Sequence, residues 1–157
     1  MRFWDSSALA PLIVRQRASG WLRSLYRADS SVLAWWGARV ECESAISRLE
    51  REGRLQPRSA RAVRQRLTRF AATWHEVQPS SPLRDDAGRM LRVHDLRAAD
   101  ALQLAAGVAA AEGRPATLSF VCLDERLSAA AEREGFPVIG EPPSPKPRVS
   151  RGPARRT

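Results

Sequence analysis

Short apolar segments alternate with longer helical segments along most of the chain, and this alternation constrains the fold more than any other feature. The segments predicted as strands are 3–4, 31–36, 76–77, 118–123 and 137–139. The segments predicted as helices are 6–12, 19–26, 38–51, 57 to about 74, 82–93, 97–112 and 125–134. Such alternation favours an α/β fold in which a mostly parallel central sheet is covered by helices on both faces.

The chain of 157 residues suits one domain. We predict a globular domain over residues 1–141 and a disordered tail over residues 142–157, where Pro, Ser, Arg and Gly predominate. No apolar run is long enough to span a bilayer, and the first residues do not resemble a signal peptide. We therefore expect a cytoplasmic protein with no membrane association.

The formal net charge of +9 favours a polyanionic partner such as nucleic acid. Two observations weaken this argument. All but one of the 26 basic residues are Arg, a bias that a GC-rich genome would also produce. Five basic residues lie in the predicted tail, which leaves 21 in the rest of the chain against 17 acidic residues.

Asp100 is the most informative residue, because it lies in a segment that is otherwise almost entirely apolar. Residues 98–111 read AADALQLAAGVAAA, and only Asp100 and Gln103 are polar. A helix that is apolar on nearly all sides is buried, and a carboxylate on it is costly unless it is paired or bound to a cation. The alternatives are a bond to Arg97 or a favourable place in the first helical turn. We favour a metal site.

Two more acids follow predicted strands. Asp5 ends the first strand and Asp124 follows the apolar strand LSFVCL. Each precedes a helix, so each also suits the N-cap position. The carboxyl ends of parallel strands lie at one edge of a sheet, where sites form, and we expect Asp5 and Asp124 at that edge.

A fourth acid lies on the predicted helix 38–51. Glu41 and Glu43 flank the apolar stripe of this helix at about equal distance from its centre, so helical phase does not choose between them.

Clustered carboxylates repel one another and need a cation. Oxygen ligands suit Mg²⁺ or Mn²⁺, whereas zinc or copper would favour His or Cys. The cysteines Cys42 and Cys122 lie far apart, and His75 and His94 are isolated in sequence, so zinc is not expected. Mg²⁺ or Mn²⁺ can activate water and stabilise charge on a phosphodiester.

Four segments resemble the PIN-domain family, in particular VapC-like toxins of bacterial toxin–antitoxin pairs. They are the opening WDSSALAPLIV, then RVECESAISRLEREGRL, VHDLRAADALQLAAG and FVCLDERLSAAAEREGFPVI. The match runs in order over about residues 1 to 141, and the third and fourth segments carry most of its specificity.

The resemblance implies a PIN-like three-layer sandwich and Mg²⁺- or Mn²⁺-dependent cleavage of RNA. It places Asp5, Glu41, Asp100 and Asp124 in the metal site, with Ser6 as an additional hydroxyl contact. It selects Glu41 over Glu43 because Glu41 follows a valine, as in the family pattern. It also implies a homodimer and a small antitoxin as partner.

The chain departs from the family pattern in two places. Residues 14–20 carry arginines where relatives often carry acids, and the arginine-rich tail is not part of the pattern. The leading hypothesis is an endoribonuclease toxin. The alternatives are a PIN nuclease in RNA processing, a catalytically silent RNA- or protein-binding module and, more remotely, a phosphatase or another Mg²⁺ enzyme.

Overall fold

A computed structural model describes residues 1–140, which form five strands and seven α-helices in alternation. The strands are Arg2–Trp4 (β1), Val32–Trp35 (β2), His75–Val77 (β3), Phe120–Val121 (β4) and Val138–Ile139 (β5). The helices are Ser6–Ile13 (α1), Ser19–Ala28 (α2), Ala38–Arg51 (α3), Pro57–Ala71 (α4), Ser81–Val93 (α5), Ala98–Ala110 (α6) and Glu125–Arg133 (α7). The predicted tail, residues 142–157, lies outside the described residues.

The five strands form one sheet in the order β3-β2-β1-β4-β5, and every neighbouring pair is parallel. Connections between parallel strands are right-handed. The chain moves one way across the sheet through α1 to α4 and the other way through α5 to α7, so these two groups cover opposite faces. The packing agrees, since α1 contacts α2, α3 and α4, whereas α6 contacts α5 and α7. The predicted three-layer α/β fold is confirmed.

The core lies where β1 and β4 meet the helices. Phe3 and Phe120, on neighbouring strands, stack with ring centroids 4.9 Å apart. Helix α6 approaches β4 closely at Gly107, where a Cβ would lie 2.9 Å from the Phe120 ring. Glycine is therefore required for this helix to reach the sheet. The prediction that α6 is buried is correct for its centre, where Leu104 and Ala106 are fully buried.

Most predicted boundaries differ from the observed ones by one to three residues, including those of β4, α4 and α6. Strand β4 covers only two residues, because a 3-10 turn occupies Pro115–Thr117 and the backbone N–H of Leu123 donates to Ser7 Oγ at 2.8 Å instead of continuing the ladder. Helix α4 ends before Trp74, since the amide of Thr73 bonds to the Phe70 carbonyl in a tighter turn. Helix α6 ends at Ala110, two residues earlier than predicted.

His94 is isolated in sequence but has a charged partner in the fold. Its ring is buried, and Nε2 lies 2.7 Å from Glu134 Oε1. Arg89 also binds the Glu134 carboxylate, at 2.8 Å, and this hydrogen bond lowers the pKa of Glu134 below its usual range. These contacts join the end of α5 to the end of α7. The Glu134 side chain is mostly buried in this cluster.

None of the helices within residues 1–140 is both long enough and apolar enough to cross a membrane.

Candidate active site at the carboxyl edge of the sheet

Asp5 and Asp124 lie at the same edge of the sheet, each after one of two adjacent strands. Both are N-caps, as the alternative interpretation predicted. Asp5 Oδ2 accepts a hydrogen bond from the Ser7 amide at 3.0 Å, and Asp124 Oδ1 accepts one from the Leu127 amide at 2.9 Å. Each cap uses one carboxylate oxygen, so the N-cap role does not exclude a second role for the other oxygen.

Asp5 is a buried carboxyl, with 3% of its surface exposed. Burial raises its pKa, because the charged form loses its hydration, and the hydrogen bonds from Ser7 only partly offset this. The Cys122 sulfur lies 3.4 Å from both Asp5 Oδ2 and the backbone carbonyl of Asp124. Cys122 therefore joins the ends of β1 and β4.

The carboxyl groups of Glu41 and Asp5 both lie next to the hydroxyl group of Ser6. Ser6 Oγ donates to Glu41 Oε2 at 2.7 Å and lies 3.4 Å from Asp5 Oδ1. Burial raises the pKa of Glu41, and the negative charges of Asp5 and Asp100 raise it further. The two carboxyl groups thus lie in one poorly solvated, electrostatically coupled cluster.

Glu43 faces a different part of the protein. Its carboxylate forms a salt bridge with Arg64 of α4 and also contacts Ser47 Oγ at 3.5 Å. Helical phase left Glu41 and Glu43 equivalent. In the fold, the packing of α3 on α1 places Glu41 at the sheet edge, and the packing of α3 on α4 pairs Glu43 with an arginine.

Asp100 lies in the first turn of α6 and is half-buried. Its Oδ2 accepts a hydrogen bond from the backbone amide of Arg97 at 3.3 Å. The predicted alternative, a bond to Arg97, is therefore present as a backbone cap; within residues 1–140 no ion pair joins the two side chains. Because the charge of Asp100 raises the pKa of Glu41, Asp100 lies within electrostatic reach of the cluster.

Gln103 belongs to this cluster and was not among the predicted site residues. It is fully buried, and its Nε2 donates to Glu41 Oε2 at 3.1 Å. Its Oε1 has no hydrogen-bond partner among the described residues. The sequence carried a signal for it, because Gln103 is the second polar residue of the apolar segment and lies three residues from Asp100, on the same helix face.

The donors of this cluster fit a hard divalent cation in their chemistry. Asp5, Glu41 and Asp100 offer carboxylate oxygens, and the raised pKa values of Asp5 and Glu41 show that their charged forms lack a counter-charge. Burial also raises the pKa of the Cys122 thiol, because its thiolate form would be poorly solvated. As they lie, no three His, Cys, Asp or Glu side chains within residues 1–140 form a group that could hold a metal ion.

A surface cleft of about 410 Å³ gives access to the cluster. Ser6 and Glu41 lie on its wall, together with Ser44, Arg48 and Leu123. The cleft therefore opens the Glu41 side of the cluster to a ligand from solvent.

Solved structures share this fold, although no model of a protein family and no curated protein matches the chain. VapC20 of Mycobacterium tuberculosis, a toxin that cleaves the sarcin–ricin loop, has 23% identity and a TM-score of 0.62 over 87% of this chain and 96% of its own. FitAB bound to the IR36 DNA fragment has 16% identity and a TM-score of 0.59, over 89% and 94%. FitAcB from Neisseria gonorrhoeae has 18% identity and a TM-score of 0.58, over 88% and 96%. The predicted PIN-like fold is confirmed.

Proposed function

We propose that this protein is a PIN-domain endoribonuclease of the VapC type, which hydrolyses RNA phosphodiesters with Mg²⁺ or Mn²⁺ and acts as the toxin of a toxin–antitoxin pair. One observation carries the proposal: the buried Asp5 and Glu41 share the Ser6 hydroxyl at the carboxyl edge of the sheet, and both have raised pKa values. The same fold is found in VapC20, a toxin that cleaves the sarcin–ricin loop.

Asp5, Glu41, Asp100 and Asp124 would hold the cation after a change in their side-chain positions, because no three of them form such a group as they lie. When bound, a divalent ion supplies an activated water and stabilises the charge that develops on the phosphodiester. Residues of the chain orient the carboxylate of Glu41. Ser6 and Gln103 both donate to Glu41 Oε2, which fixes the position of that carboxylate and leaves its Oε1 available. Such hydrogen bonds to ligands orient them and tune their basicity.

The proposal is tested by incubating the full chain with RNA that contains both stem-loops and single-stranded segments. We expect cleavage in Mg²⁺ or Mn²⁺ and none in EDTA, because the clustered carboxylates cannot bind a phosphate without a cation. Fragments are resolved on a denaturing gel. Cleavage that persists in excess EDTA contradicts the metal mechanism.

As a toxin of this type, the protein would also bind an antitoxin and form a homodimer. FitAB, which was solved bound to a DNA fragment, and FitAcB share the fold. We expect the product of a short adjacent reading frame to bind this chain and block its RNA cleavage, and we expect a homodimer in sedimentation equilibrium. A ribonuclease that no such product inhibits would instead favour the alternative role in RNA processing.

Gln103 tests the positioning of Glu41. We expect Gln103→Leu to lower kcat about 10- to 100-fold, the usual cost of losing a group that orients a metal ligand. Stability should change little, because the substitution also removes Oε1, a buried acceptor without a partner among the described residues. The measurements are RNA cleavage rates and thermal melts. Full activity in Gln103→Leu would show that Glu41 needs no such support.

A further inference from the structure

A second concave surface adjoins the cleft at Glu41 and is lined by several arginines. This basic groove of about 330 Å³ is lined by Arg15, Arg17, Arg48 and Arg54 around an apolar base that includes Leu49. Gln16, Ala45 and Arg48 line both the groove and the cleft. The two surfaces are therefore continuous, and the acidic cluster opens into a channel bordered by arginines.

Helix α3 sets the spacing between the two surfaces. Glu41, Ala45 and Arg48 follow one another at intervals of four and three residues, so they lie on one helix face. Seven residues at about 1.5 Å each separate Glu41 from Arg48 by roughly 10 Å along the axis. One face of α3 thus presents a carboxylate to the cleft and a guanidinium to the groove.

Two of the arginines are available to an external anion. Arg15 and Arg48 are exposed, and neither has a carboxylate partner within residues 1–140. The Arg54 side chain has one ion-pair partner within residues 1–140, the exposed Glu52 at 3.4 Å. Such a pair contributes little to stability. Arg64 of α4 differs, because Glu43 and Glu50 both bind it. The groove therefore keeps positive charge that the fold does not neutralise.

We propose that the basic groove binds the phosphates of the RNA chain beside the bond that is cut at the acidic cluster, with Arg15 and Arg48 as the contacting residues. The proposal rests on the proposed ribonuclease function and adds to it a substrate-binding subsite. Guanidinium groups bind phosphate oxygens through paired hydrogen bonds. RNA carries one phosphate per nucleotide, so a chain with one phosphate at the cluster presents others to the continuous groove.

The test measures binding without cleavage. The full chain is titrated in EDTA with a fluorescein-labelled single-stranded oligoribonucleotide at several salt concentrations. Each phosphate contact contributes about 0.7 to the slope of log affinity against log salt for single strands. For the double variant Arg15→Gln/Arg48→Gln, we expect the magnitude of this slope to be smaller by about 1.4. We also expect this variant to bind the RNA at least about tenfold more weakly at low salt.

The matched control is Arg92→Gln/Arg133→Gln, which removes the same charge from exposed positions of α5 and α7 on the opposite face of the sheet. We expect it to change the slope much less. The variant Arg15→Lys/Arg48→Lys should keep the slope and lose only part of the affinity, because lysine retains the charge without the paired hydrogen bonds. Thermal melts establish that each variant is folded.

Three outcomes would overturn the proposal: equal slopes for wild type and Arg15→Gln/Arg48→Gln, equal losses in the control, or tighter binding of a polyglutamate peptide than of RNA. The last outcome would assign the groove to an acidic protein segment. Because binding is measured in EDTA, the result is independent of catalysis. A slope change without any RNA cleavage in Mn²⁺ would reject the ribonuclease function and keep the RNA-binding groove.

Discussion

Replacing Glu41 by Gln should reduce RNA cleavage more than about 100-fold, because residues that only support a metal ligand already cost 10- to 100-fold when they are changed. The substitution keeps the shape and the length of the side chain, which can still form hydrogen bonds. It removes the charge that the proposed cation needs and that Ser6 and Gln103 orient. The measurement is the single-turnover cleavage rate of a fixed RNA in Mn²⁺.

Glu43→Gln is the matched control, since it makes the same chemical change two residues away on the same helix. Glu43 pairs with Arg64 at a partly exposed site, where a salt bridge contributes at most about 1 kcal/mol. We expect this variant to fold and to retain most of its cleavage rate. A large loss in Glu43→Gln with normal activity in Glu41→Gln would mean that the site lies on the other side of α3.

Replacing Asp5 by Asn should raise the stability of the metal-free protein and remove its stabilisation by metal. In EDTA, wild type holds a buried carboxyl whose charged form is poorly solvated, and Asn removes that charge while remaining a good N-cap for α1. Mn²⁺ at 100 times its dissociation constant should stabilise wild type by about 2.7 kcal/mol, which is roughly 8 °C for a domain of this size. The variant should lose most of this shift.

The pH dependence in EDTA checks the cause of this effect. The pKa of Asp5 is raised in the folded protein above its ordinary value of 3.8, so the folded state binds the proton more tightly than the unfolded state. The stability that this proton provides is complete below the ordinary pKa and is lost as the pH rises through the folded pKa. We therefore expect the stability of the Asp5→Asn variant, relative to that of wild type, to increase as the pH rises from about 4.

Thermal melts at several pH values, with and without Mn²⁺, measure both effects on the same samples. Glu41 is present in both proteins, and the charge of Asp5 raises its pKa, so the difference between them reports Asp5 together with its effect on Glu41. The metal site proposed at Asp5 is contradicted if the variant keeps the full Mn²⁺ shift. The electrostatic explanation is contradicted if the variant melts below wild type in EDTA at neutral pH.

The local pattern of the sequence was sufficient for the architecture and for part of the candidate site. Alternating apolar and helical segments predicted the parallel sheet with helices on both faces, because strand and helix periodicities are properties of neighbouring residues. The ends of two apolar strands placed Asp5 and Asp124 at one edge, since parallel strands share their carboxyl edge. Asp100 was conspicuous because a carboxylate is costly on an apolar helix.

The tertiary structure decided which helix faces meet. Glu41 and Glu43 were equivalent by helical phase. The placement of α1 and α4 around α3 brings Glu41 next to Ser6 and Glu43 next to Arg64. Gln103 reaches Glu41 across 62 positions of sequence, and His94 reaches Glu134 across 40.

The basic groove beside the cleft has the same origin, because it forms only where residues 14–17 lie against the face of α3 that carries Arg48. The periodicity of a helix defines its faces, but the partner of each face depends on packing between segments that are distant in sequence. Local propensities contain no information about that packing.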